Sequence, residues 1–375
     1  MACINFATCE DGESSEFRSS GGSWSNQTTI VLSGTRSIRF APVGSAVANA
    51  RLALIRPDGR RDTEFNTANC YTQVRLHIVT APASNQEKII EFADTGGSTK
   101  AFVALNSSRQ LEFYNNAGGL VATGATSLSL NTTYFIQVRT STGSGNQPYE
   151  VHIDEVLELS GTANQLTNNH GSVYFGKRDN LNSQTMDIVM DCFYCDDSTF
   201  IGDGEVAGLT PTANGSVAQW TSGTGASNYT QVDEIPPSTA DYIQSAASSN
   251  QSHYVELEDC ATVGITGTIQ AFKATAFLRE VSSGTSSNKL RISSGASNLD
   301  TTAFNHSTSN VHIQLLAEED PDTSAPWTLS GIDALEIGVI EANAIAMRCF
   351  YMHGYVYYFP APPPSGPPIE YINMI

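Results

Sequence analysis

The chain has 375 residues, a formal net charge of −19 and only 15% charged residues. That length allows two domains that each bury a core. The acidity repels phosphate, so nucleic acid is not an expected partner. Insertion into a membrane is not expected either, since no stretch approaches the ~20 apolar residues of a span.

Lys is scarce, and Ser, Thr, Asn and Gly are abundant. This composition suits strands and tight turns better than long amphipathic helices. The first residues, Met1-Ala2-Cys3-Ile4-Asn5-Phe6-Ala7, carry neither a basic segment nor an apolar run. Synthesis and folding in a cytoplasm are therefore expected, without a signal peptide.

Short strand-like runs fill the first two hundred residues. Ser37–Phe40 alternates after the turn Ser33-Gly34-Thr35. From Tyr71 to Val79, apolar Val74, Leu76 and Ile78 alternate with Arg75 and His77. Ala101–Leu105 and Gln110–Tyr114 flank Asn106-Ser107-Ser108, a hairpin pattern. Tyr134–Arg139 alternates again, and Val151–Leu157 predicts a tight hairpin turning at Asp154-Glu155. Val173–Phe175 and Met186–Tyr194 complete the set. Strands at this spacing, with turn residues between them, predict an antiparallel β-sandwich. No window sustains a helical period for more than two turns.

Pro211 and the glycines around it interrupt the pattern after Ile201-Gly202-Asp203-Gly204-Glu205-Val206. A domain boundary is placed there, giving a first unit over 1–204 and a second over 205–359. Strands of the second unit are predicted at His253–Glu258, Gly267–Leu278, Lys289–Ser293, Val311–Leu316, Ala334–Ile340 and Arg348–Phe359. The last run carries Phe350, Tyr351, Tyr355, Tyr357, Tyr358 and Phe359, which predicts a central strand packed on both faces. The fold class expected is all-β, with two tandem antiparallel sandwiches.

Residues 360–375 form a proline-led tail. Its proline run should adopt polyproline II and cannot enter a sheet interior. The apolar end, Ile369 to Ile375, would be an association hazard if left free. The expectation is a stiff spacer that lays a short strand on a neighbouring subunit. Pro360, Pro364, Pro368, Ile369, Tyr371, Ile372 and Ile375 are the contact residues. Folding back on its own domain is the alternative.

Two stretches carry resemblances. Thr133–Val138, Tyr149–Asp154 and Met186–Tyr194 resemble the late strands of a concanavalin A-like, or laminin-G-like, jelly roll. A second set is Ile201–Val206, Leu209-Thr210-Pro211, Gly215, Gln219-Trp220-Thr221, Asn228-Tyr229 and Val232-Asp233-Glu234. Pro326-Trp327-Thr328, Ile332–Val339 and Arg348 extend it. This arrangement resembles a group of tailed-phage virion proteins in which such a domain follows a laminin-G-like one.

The resemblance implies a non-enzymatic structural role on the capsid or tail surface, in the virion, after synthesis in the host cytoplasm. Implied partners are other virion proteins and further copies of the chain, with a trimer expected from virion architecture. A receptor- or glycan-binding tail protein that contacts a host-surface glycan is the alternative, and a free lectin-like protein is a third reading.

Candidate chemistry is sparse. Asp191, Asp196 and Asp197, and Glu318, Glu319, Asp320 and Asp322, suggest calcium, but neither set has the spacing of a calcium loop. Solvated turns are the expectation. Glu150-Val-His-Ile-Asp154-Glu155 does not match the paired carboxylates of jelly-roll glycosidases.

The seven cysteines imply no disulfide framework, and Cys192-Phe-Tyr-Cys195 is only half of a zinc spacing. Buried thiols pointing to opposite faces of a strand are expected. No two of the seven histidines have zinc-pair spacing, and Arg56–Arg61 reads as a solvated basic turn. Trp220 and Trp327 read as core residues, with sugar stacking as the alternative. No residue is singled out as catalytic, cofactor-binding or metal-ligating, and no cofactor is expected.

Overall fold

The computed structural model describes residues 3–7, 17, 19–22, 24–52, 65–165, 167–178, 182–248, 250–282, 287–303, 305 and 308–361. The tail contacts from Pro364 to Ile375 and the basic turn Arg56–Arg61 lie outside these residues. Pro360 is described and is exposed.

The first half holds β1 (Cys3–Ala7), β2 (Ser19–Gly22), β3 (Trp24–Gln27), β4 (Ser37–Phe40), β5 (Ala48–Leu52), β6 (Asn69–Thr80), β7 (Glu87–Asp94) and β8 (Thr99–Leu105). It continues with β9 (Leu111–Tyr114), β10 (Leu120–Thr123), β11 (Thr133–Ser141), β12 (Asn146–Ile153), β13 (Val156–Asn164), β14 (His170–Lys177) and β15 (Asp187–Asp196). One sheet runs β13-β12-β11-β6-β15-β4-β3, with β1 also on β15. The other runs β10-β9-β8-β7-β14-β5-β2.

Alternation decides which residues face inward. Val74, Leu76 and Ile78 of β6 meet Val173 and Phe175 of β14 in one apolar core. Phe113 stacks on Tyr149 across that core at 3.9 Å, and Phe175 meets Phe193 edge-on at 4.8 Å. The predicted β12–β13 turn is present, with φ of 51° at Asp154 and 65° at Glu155. Two positive φ values are the signature of the turn that matches strand twist in a two-residue hairpin.

The second half holds β16 (Glu205–Leu209), β17 (Pro211–Ala218), β18 (Thr221–Ser222), β19 (Ile243–Gln244), β20 (Gln251–Leu257), β21 (Thr268–Glu280) and β22 (Asn288–Ser294). Then come β23 (Ser297–Asp300), β24 (Val311–Ala317), β25 (Glu319–Asp320), β26 (Ala325–Pro326), a short helix α1 (Leu329–Asp333), β27 (Glu336–Glu341) and β28 (Met347–Phe359). One sheet runs β18-β19-β28-β21-β24, with β16 also on β28, and the facing sheet runs β17-β20-β27-β22-β23. Their core joins Phe272, Ala274, Met352 and Val356 to Val255, Ile292 and Val339.

The fold is therefore all-β, built from antiparallel sandwiches in tandem. Two segments depart from the sequence expectation. The interrupted stretch after Gly204 is itself strand, β16 and β17. Pro211 is tolerated because it is the first residue of β17, an edge strand, where no ladder donor is missed. The other is β7, which shows no alternation because all eight of its residues are buried and register shifts break its pairing with β8.

Candidate functional site

A densely bonded polar region lies at the seam where the two sandwiches meet. Its floor is the outer face of β6, β15 and β1. Its roof is the outer face of β28, β21 and β16. Phe6, Cys192 and Tyr194 pack there against Val206, Ala271, Tyr355 and Tyr357. The order of layers through the molecule is sheet, core, sheet, seam, sheet, core, sheet.

A bulge in β15 shapes the floor. Asp191 pairs with Arg75 and Tyr194 with Gln73, so β15 carries an extra residue between them. Cys192 takes a φ of 53° there. The extra residue puts Asp191 and Cys192 consecutively toward the seam, while Phe193 and Cys195 return to the core. Asp191 is buried and accepts from Ser37 Oγ at 2.8 Å and from the Ser33 amide at 3.1 Å. Burial pushes the Cys192 thiol well above its usual range, and Asp191 adds to this while Arg75 opposes it.

The chain between the sandwiches is gripped from both sides. Gln73 Nε2 donates to the Gly202 carbonyl at 2.8 Å and to Tyr357 Oη at 2.9 Å. Tyr357 Oη also lies 3.2 Å from the Gly202 carbonyl and accepts from the Gly204 amide at 3.2 Å. Arg75 Nε donates to Asp203 at 2.9 Å, and its Nη1 donates to the Leu32 carbonyl at 2.7 Å. Tyr358 Oη donates to Glu205 at 3.0 Å. Gly204 is required by contact: a Cβ there would sit 2.5 Å from the Tyr357 ring.

Lys273 is fully buried on the roof. Its ammonium donates to the Phe6 carbonyl and lies 4.5 Å from the Phe6 ring centroid and 5.4 Å from that of Tyr355. A ring face and a carbonyl are groups that can hold a desolvated cation. Tyr351 and Tyr355 share a hydroxyl contact of 2.6 Å.

A second polar face covers the outside of the β10–β2 sheet. Cross-strand pairing lines up Arg51, Tyr174, Glu91, Phe102 and Tyr114. Glu91 contacts Lys88 Nζ at 3.0 Å and Thr99 Oγ1 at 2.7 Å, and it also pairs with Arg178. Arg178 lies 4.2 Å over the Tyr174 ring, with Arg51 5.1 Å away. Tyr114 donates to Glu112 at 2.6 Å, and burial together with that bond raises its pKa. Glu91, Phe102 and Tyr114 are buried, while Arg51 and Arg178 are partly exposed.

The sequence candidates scatter around these two faces. Asp191 and Asp196 are not solvated turns. Both are buried, and Asp196 accepts from Ser198 and from the Thr199 amide. Asp320 is also buried and closes a local turn with the Asp322 amide and Thr323. Glu150 pairs with Arg139, and Asp154 accepts from the Phe135 amide. Trp220 and Trp327 sit in the second core, where Trp327 Nε1 donates to the Ala317 carbonyl. A buried indole offers no sugar platform. No sequence signal groups the seam partners Arg75, Gln73, Lys273 and Tyr357, although Arg75 marks the polar face in the β6 alternation.

No known family matches the chain, and no curated protein does. Among solved structures it is similar to the cellulose-induced protein Cip1, with 16% identity, a TM-score of 0.37, and coverage of 53% of this chain and 93% of that one. An endo-β-1,4-glucuronan lyase from the fungus Trichoderma reesei matches with 9% identity and a TM-score of 0.41, over 52% of this chain and 96% of the lyase. Carbohydrate binding module CBM66 from Bacillus subtilis matches with 10% identity and a TM-score of 0.32, over 52% and 96%. The expectation that the chain is not an enzyme is corrected here. The glucuronan lyase, an alginate lyase and a sialidase stand among the matched structures, so absence of activity does not follow from this kind of fold.

Proposed function

We propose that the chain is a structural protein of a tailed-phage virion, placed on the capsid or tail surface and acting through contacts with copies of itself and with other virion proteins. The support is the resemblance of the Ile201–Val206 block and its partners to such proteins. The observation that carries the reading is where that block lies. Gly202, Asp203, Gly204 and Glu205 are held by Gln73 and Arg75 from one sandwich and by Tyr357 and Tyr358 from the other. A stack clamped in this way transmits load as one body, as a surface component between neighbours must.

Quantitative mass spectrometry of purified particles of the encoding phage tests the reading. Many copies of the chain per particle are expected. Its absence from particles overturns the proposal. A few copies confined to the tail tip would move the chain to the receptor-binding alternative, which a glycan array then examines.

A further inference from the structure

We infer that Cys70 and Cys195 are a disulfide-forming pair, a modification site that locks the first sandwich where the chain leaves it. Cys70 lies on β6 and Cys195 on β15, neighbouring central strands of one sheet. Cys195 pairs with Thr72 and Asp196 with Tyr71 in the ladder, so the two cysteines are diagonal neighbours on one face. Both side chains enter the same apolar core. Their sulfurs lie 3.2 Å apart, and both residues are fully buried. A disulfide needs a separation of about 2.05 Å, so closure brings the sulfurs roughly 1 Å nearer and, at a diagonal pair, also draws the two strands locally together.

The other described cysteines have different surroundings. Cys192 faces the seam. Burial pushes the thiols of Cys260 and Cys349 up to about 12, with Asp333 adding to the effect at Cys260. Among the described residues, Cys70 and Cys195 are a pair whose sulfurs meet.

The chemistry is thiol–disulfide exchange with a small-molecule disulfide such as oxidised glutathione. One cysteine loses its proton and attacks the oxidant, releasing one glutathione thiolate and leaving a mixed disulfide. The second cysteine, deprotonated in turn, attacks the protein sulfur of that mixed disulfide and releases the second glutathione. Two protein thiols are oxidised, one glutathione disulfide is reduced, and the two protons end on the two glutathione thiols. Because both sulfurs are buried, attack occurs as the sandwich closes or in a transient opening. The bond would join residues 125 apart in sequence. Such a long closed loop restricts the unfolded chain strongly.

The experiment uses the full chain incubated with oxidised glutathione or with dithiothreitol, then unfolded in iodoacetamide and peptide-mapped with cleavage that separates Cys195 from Cys192. A peptide linking Cys70 to Cys195 is expected in the oxidised sample and not in the reduced one. The apparent Tm of the oxidised sample should be higher by roughly 5–10 °C. The shift should vanish in Cys70→Ala and Cys195→Ala and persist in Cys192→Ala. Full alkylation of Cys70 and Cys195 after oxidation overturns the inference, and so does a linked peptide that joins other cysteines. The wild-type map decides even where a variant fails to fold.

Discussion

The core of the first sandwich and the seam between the sandwiches are both buried, yet they are built from different side chains. The core is aliphatic and aromatic, held by shape and by removal from water. The seam joins tyrosine hydroxyls, an arginine, a lysine and carboxylates across two sheets. The contrast teaches that a residue's polarity does not tell whether it ends at a surface. Gln73, Arg75, Lys273 and Tyr357 each face a partner far away in sequence, and the match offsets the cost of drying them.

The largest effect that separates the regions should come from acid. His170 is shifted down to about 3 by burial and by Lys100, His253 to about 4 by burial, and His353 to about 3 by burial against a bond to the Asp233 carbonyl. All three stay neutral in the fold while the unfolded chain takes up protons below pH ~6.5. Stability therefore falls as pH drops from 6.5 toward 4, by about 1.4 kcal/mol per pH unit for each histidine. Two of the three belong to the second sandwich, so it carries the larger share of the acid loss, which His253→Leu or a matching change at His170 apportions when unfolding is followed against pH. The raised carboxyls of Glu234 and Glu341, held up mainly by burial, act in the opposite sense as they take up protons in the fold.

A core truncation comes next. Phe175→Ala should cost about 3–5 kcal/mol, measured by denaturant unfolding, because it empties a site lined by Phe193. Tyr357→Phe tests the seam at near-constant volume. It removes the hydroxyl that Gln73 and the Gly204 amide use, at a cost of about 1–3 kcal/mol. It should also flatten the alkaline limb. Burial first, then Cys192, raises the Tyr357 pKa, so the folded state keeps a proton that the unfolded chain loses above pH ~10. Stability falls as pH rises past that point in the wild type, and less steeply in the variant.

The smallest change expected is His253→Leu. Both ring nitrogens of His253 are buried without a hydrogen-bond partner among the described residues. Stability at pH 7 should stay within about 1 kcal/mol of wild type or rise, and the acid slope should drop by one histidine's share.

Local pattern made much of the fold legible. The β6 alternation, the Asp154-Glu155 turn and the two-faced β28 could be read because two-residue periodicity and turn chemistry are local signals. β7 could not, because both of its faces are buried and its register slips. Asp191 read as a solvated turn because Ser33, which donates to it, stands 158 residues away. The same distance problem hid the seam. Gln73 and Tyr357 are 284 residues apart, and nothing in either neighbourhood points to the other.

Differential scanning calorimetry of the full chain, beside a chain carrying Arg75→Ala and Tyr357→Phe together, tests the central claim that the seam makes one body of two sandwiches. The account predicts a single transition in the wild type, with matching calorimetric and van't Hoff enthalpies, and two resolved transitions in the double variant. Two independent transitions already present in the wild type would contradict it.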